Sequence, residues 1–82
     1  MKSDELVKES LDYARTHQQA VRIVWMDREP EIVSAMDAVW LCSDYGTVGR
    51  ISAVVAQDKK LQAVLNKLMD DKQQRWGNSH TS

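Results

Sequence analysis

The chain has 82 residues, a formal net charge of −1 and a hydrophobic fraction of 43% against 28% charged, the balance of one small globular domain rather than a disordered segment. Its single cysteine, Cys42, excludes an intrachain disulfide, and its two histidines, His17 and His80, stand far apart with no ligand spacing around them, so neither a metal nor another cofactor is expected. The charge argues against a dedicated nucleic-acid binder; the absence of an apolar run of about 18 residues and of a basic-then-apolar leader argues for a cytoplasmic protein with no membrane segment.

The first predicted element is an amphipathic helix capped by Ser3, with Asp4 and Glu5 in its first turn where the helix dipole favours anions. Leu6, Val7, Leu11, Ala14, Val21, Val24 and Trp25 share one broad face and extend this helix to about Trp25. Ser10 and His17 fall inside that face and are expected to be hydrogen-bonded there. The pattern blurs over 21–26, where Ile23 and Met26 point to the polar side. That run reads either as a helix end covered on both sides or as a short β-branched strand.

Asp27-Arg28-Glu29-Pro30 is the clearest punctuation, because proline suits a first helical turn and disfavours helix in the residue before it. A second helix is predicted from Glu31 to Tyr45, with Gly46 as its left-handed terminator. On a helical wheel Ile32, Val33, Met36, Val39 and Trp40 form one stripe, and Ala35, Ala38, Leu41 and Cys42 fill much of the remaining circumference. A helix apolar almost all round in so short a chain points to self-association, so the stripe is the expected interface of a homodimer.

From Thr47 to Trp76 the helical period continues for about 30 residues, roughly 45 Å of helix, too long for a compact domain of this size. A kink or turn is predicted near Asp58. There the stripe of Val48, Ile51, Val54 and Val55 gives way to a rotated one of Leu61, Val64, Leu65, Leu68 and Met69, and Asp58 can cap the last helix. Residues 77–82 read as a disordered polar tail. The expected fold is therefore all-α: one domain over 1–76, three helices or four if the third divides, in a helical homodimer.

No catalytic constellation emerges. Cys42 and His17 are the only nucleophile and base on offer, and Gly46 and Gly49 match no phosphate loop. A helix-turn-helix over Trp40–Val55 with Arg50 on the second helix is the alternative reading, a small dimeric DNA-binding regulator. Its second helix shows few polar side chains for base readout. Charge is uneven along the chain: residues 27–46 hold one basic and five acidic side chains, residues 47–82 six and three. Trp25, Met26, Glu29, Glu31 and Asp37 combine the residue types of interaction hot spots with an acidic rim, suited to a basic, apolar groove on a larger cytoplasmic protein. The expected role is a non-catalytic inhibitor or adaptor, and small size without motifs fits a phage or mobile-element product.

Overall fold

Alternation, rather than helical period, governs the middle of the chain. In the computed structural model the backbone is described for residues 2–81 and the side chains for residues 5–73. Its elements run α1 (Lys2–Thr16), β1 (Ala20–Trp25), β2 (Glu31–Ser34), α2 (Ala35–Ser43), α3 (Tyr45–Val48), β3 (Ile51–Val55) and α4 (Lys59–Thr81). The fold is α+β, not all-α. Three antiparallel strands in the order β2-β1-β3 replace the end of the first predicted helix, the start of the second and the start of the third.

Each replacement has a physical cause. Val21, Ile23 and Trp25 are buried while Ala20 and Arg22 are exposed, a period of two that β-branched residues sustain at low cost. Pro30 closes the β1–β2 connection instead of opening a helix. The helix starts only at Ala35, where the Ser34 hydroxyl oxygen accepts from the Asp37 N–H at 3.1 Å. Asp44 caps α3 in the same way, its Oδ2 accepting from the Thr47 N–H at 2.9 Å and from the Thr47 hydroxyl at 2.6 Å. Gly46 lies inside α3 with φ negative, so it is no left-handed terminator. Asp58 does cap α4, accepting from the Leu61 N–H at 2.8 Å, but what precedes it is strand rather than helix.

The apolar circumference of the middle segment has an explanation within one chain. Helix α2 touches α1, α4, β1 and β2, burying Ala35, Ala38, Val39 and Cys42, and so supplies its own neighbours. Leu61, Leu65 and Leu68 of α4 join Val21, Ile23, Val48 and Ile51 in the fully buried core. Ser10 is also fully buried, its hydroxyl donating to the Leu6 carbonyl at 2.6 Å. His17 is exposed rather than inside the apolar face, but it is hydrogen-bonded, its Nδ1 3.2 Å from the Tyr13 carbonyl oxygen, and its ring stacks on Tyr13 with centroids 4.1 Å apart. The expectations for Trp76 and for a tail over 77–82 concern side chains outside the described residues. Among the described residues no helix is long and apolar enough to cross a membrane.

Candidate interaction surface

The helices cover one face of the sheet, α2 lying against β1 and β2 and α4 against β3. Residues directly opposite on paired strands project to the same side, and the register therefore fixes what the uncovered face carries. Arg22 pairs with Ile32 of β2 and Val55 of β3, Ala20 pairs with Ser34, and Val24 pairs with Ala53. The register slips between Val24 and Trp25, which returns Ile51 to the core side opposite Trp25.

Ile32 keeps 62% and Val55 52% of its surface exposed, and Met26, one residue beyond β1, keeps 69%. The open face is thus a row Ile32–Arg22–Val55 with Val24 and Ala53 beside it. Among the described residues it holds one cation and no carboxylate, and Arg22 forms no ion pair with any of them. An antiparallel sheet with one free face usually makes that face polar; this one is mostly aliphatic around a guanidinium.

The two sheet edges differ. Along β3 the Gln62 side chain behaves as a short extra strand: its Nε2 donates to the Val54 carbonyl at 2.6 Å and its Oε1 accepts from the Ala56 N–H at 2.7 Å. Asn66 steadies it, Oδ1 accepting from Nε2 at 3.3 Å. Among the described residues no side chain is seated in this way on β2.

The residues expected at a dimer interface do not share a surface. Ile32 is on the open sheet face, Val33 faces Val21 on the core side, Met36 is half-buried, Val39 is fully buried in the core, and Trp40 is 56% exposed on α2. A strand sends Ile32 and Val33 to opposite faces, and so dissolves the stripe. The residues expected to bind a partner also separate. Trp25 is only 6% exposed. Its Nε1 donates to Glu31 Oε1 at 3.3 Å, and the Arg28 and Arg50 guanidiniums lie 4.3 and 5.9 Å from its ring. Glu31 also meets Arg28 at 3.6 Å, and Asp27 meets Arg50 at 3.2 Å. Glu31 and Asp27 of the acidic segment are therefore ion-paired within the chain, and Asp44 is taken up by the α3 cap. Met26, Glu29 and Asp37 are exposed. Arg22, Val24, Ala53 and Val55 were not anticipated; the signal for them was the alternation around Arg22, legible once 21–25 is read as strand.

The titratable groups with perturbed values serve the scaffold. Burial pushes the Cys42 thiol up to about 12, leaving it a neutral thiol at physiological pH. The Tyr13 hydroxyl donates to Asp58 Oδ2 at 2.6 Å. That bond, then the Leu61 N–H, holds the Asp58 carboxyl below its usual value, and the same bond raises the Tyr13 phenol. It ties the end of α1 to the start of α4. No protein-family model, curated protein or solved structure matches this chain.

Proposed function

We propose that this chain is a non-catalytic regulator, an inhibitor or adaptor, that docks on another protein through the open face of its sheet. The observation that carries the reading is the Ile32–Arg22–Val55 row: aliphatic side chains left in water on both sides of a cation that forms no ion pair among the described residues. Exposed apolar surface of this kind marks association sites, and arginine is among the residue types enriched at their hot spots. The complementary surface is apolar with a carboxylate at its centre, opposite in sign to the basic groove expected from the acidic segment.

A second copy fits this face poorly. Two-fold packing centred on β1 sets Arg22 against Arg22, and like charges brought together out of water are repulsive. The helix-turn-helix alternative loses its premise, because residues 51–55, its second helix, are strand β3 and Arg50 is held by Asp27. The fully buried Cys42 and the exposed His17 support a non-catalytic role. A cytoplasmic location belongs to the same reading, in keeping with a single unpaired cysteine.

The test is photo-crosslinking in cells from a reactive amino acid at position 32, with position 9 on exposed α1 as control. A discrete heavier adduct from position 32 alone, lost on Arg22→Glu while the thermal melt is unchanged, is the expected result. No adduct, the same adduct from position 9, or an adduct of twice the chain's own mass rejects the proposal.

A further inference from the structure

The hydrogen bonds along β3 fix which way the backbone groups of the opposite sheet edge point. The Val54 carbonyl and the Ala56 N–H turn outward, to Gln62. Successive residues of a strand turn their N–H and C=O to opposite sides, so Val55 and Ala53 turn inward, to Arg22 and Val24 of β1. The bond from the Met26 N–H to the Arg50 carbonyl, 2.9 Å, continues the same alternation along β1. Val21 and Ile23 therefore turn to β2, where they meet Val33 and Glu31. What faces outward from β2 is the N–H and C=O of Ile32 and the N–H of Ser34. Pro30, just ahead of the strand, has no N–H to add, and the Ser34 carbonyl belongs to the first turn of α2, which Ser34 caps. Among the described residues nothing bonds these outward groups, since β2 packs on β1 and α2. Unpaired groups on a strand edge are a template for a further strand.

Charge decides which strand fits. Glu29 and Glu31 stand at one end of β2 and Asp37, in the first turn of α2, at the other, all three exposed. The single cation of residues 27–46 is Arg28, which is engaged by Glu31 at 3.6 Å and by the Trp25 ring. A second copy pairing its own β2 here would bring Glu29, Glu31 and Asp37 of both chains together around the join, and like charges there oppose pairing. A segment carrying cations gains at the same positions.

We propose that the β2 edge takes an extended segment of the partner protein as a fourth, antiparallel strand, with an apolar residue opposite Ile32 and a lysine or arginine on each side of it. The inference rests on the docking reading above and deepens it: the open face holds the body of the partner and the edge holds one of its strands. The residue opposite Ile32 exchanges both backbone hydrogen bonds with it and projects onto the open face, lengthening the Ile32–Arg22–Val55 row. Its two neighbours project to the other side, one opposite Glu31 and one opposite Val33, where α2 begins.

The probe is the peptide acetyl-Thr-Lys-Val-Lys-Thr-amide, titrated into the full chain and followed by proton–nitrogen correlation spectra and amide exchange. Saturable binding in the millimolar range is expected, with exchange slowed at the Ile32 and Ser34 amides. N-methylation of the peptide's valine, which removes the donor to the Ile32 carbonyl, should weaken binding by about tenfold or more. N-methylation of either lysine, whose N–H points away from the edge, should have little effect, and glutamate in place of both lysines should abolish the response. Ile32→Pro, which deletes the outward N–H at a position where an edge strand tolerates proline, should also abolish it; should that variant unfold, the pair of N-methylated peptides decides by itself. Arg22→Glu lies two strands from the added one and should leave peptide binding unchanged while it removes the cross-link from position 32, so edge capture and face docking fail separately. Equal binding of the N-methylvaline or the glutamate peptide, no slowing at Ile32 and Ser34, or a free chain that sediments as a pair with those amides already protected overturns the proposal.

Discussion

The two faces of the sheet are built from nearly the same amino acids and meet opposite fates. On one side Val21, Ile23, Trp25, Ile51 and Val54 are almost fully buried; on the other, Val24, Ile32, Ala53 and Val55 surround Arg22, with Ile32 and Val55 largely in water. Hydrophobicity alone therefore does not decide which face becomes core. Helices α2 and α4 have enough apolar surface for one face, and the other is left with side chains suited to a cover that the described chain does not supply.

Mutation can break this contrast or sharpen it. The largest effect belongs to the covered face: Ile23→Ala leaves a cavity and should cost about 2–5 kcal/mol, read as a melting temperature lower by about 4–8 °C for each kcal/mol. A loss below about 1 kcal/mol would mean that the two faces are energetically alike. Next comes the sheet edge. Gln62→Ala removes two hydrogen bonds to the β3 backbone and should cost about 1 kcal/mol, with faster amide exchange at Ala56; unchanged exchange there would show that the side chain does not guard the strand.

A smaller, pH-dependent effect lies off both faces. The folded-state value of the Asp58 carboxyl is lowered chiefly by the Tyr13 hydroxyl, so its contribution is present above the unfolded value of 3.8 and fades as pH falls through the lower folded one. Tyr13→Phe should therefore narrow the stability difference between pH 7 and pH 3 measured by urea unfolding. At the other extreme the raised Tyr13 phenol value confines its own contribution to pH below about 10, with loss as pH climbs through the folded-state value. Equal acid sensitivity in both proteins would remove the Tyr13–Asp58 bond from the account.

The smallest effect on stability is expected on the open face. Ile32→Thr and Arg22→Glu should each shift unfolding by no more than about 0.5 kcal/mol while weakening docking by about tenfold or more. A large loss of stability from either would mean that the face is structurally engaged after all.

What was legible in the sequence depended on how far one local signal reached. Asp58 as a helix cap, Ser10 as a satisfied buried hydroxyl, and the stripe of Leu61, Leu65 and Leu68 each rested on side chains within a few residues, and each holds. The strands failed for a nonlocal reason. Ile32 and Val33 fit a helical wheel as well as a strand, and only the pairing of Val33 with Val21 and of Ile32 with Arg22 separates the two. Pro30 is equally at home before a helix and in a strand connection, while the Ser34–Asp37 cap was outweighed by the apolar pattern. That pattern suggests a second chain, whereas the sheet, α1 and α4 bury Ala35, Ala38, Val39 and Cys42 of α2 within one and leave Trp40 more than half exposed. The open face could not be seen before the strands were, since Arg22 acquires its neighbours only through register.

Gln62 has a consequence beyond the monomer. Fibre growth by strand addition requires every unit to offer two growing ends, one that receives and one that is received. This sheet has its β3 end stopped by a side-chain amide. Even if the β2 end of one molecule met the β2 end of another, the product would present two stopped ends, and growth would halt at a pair.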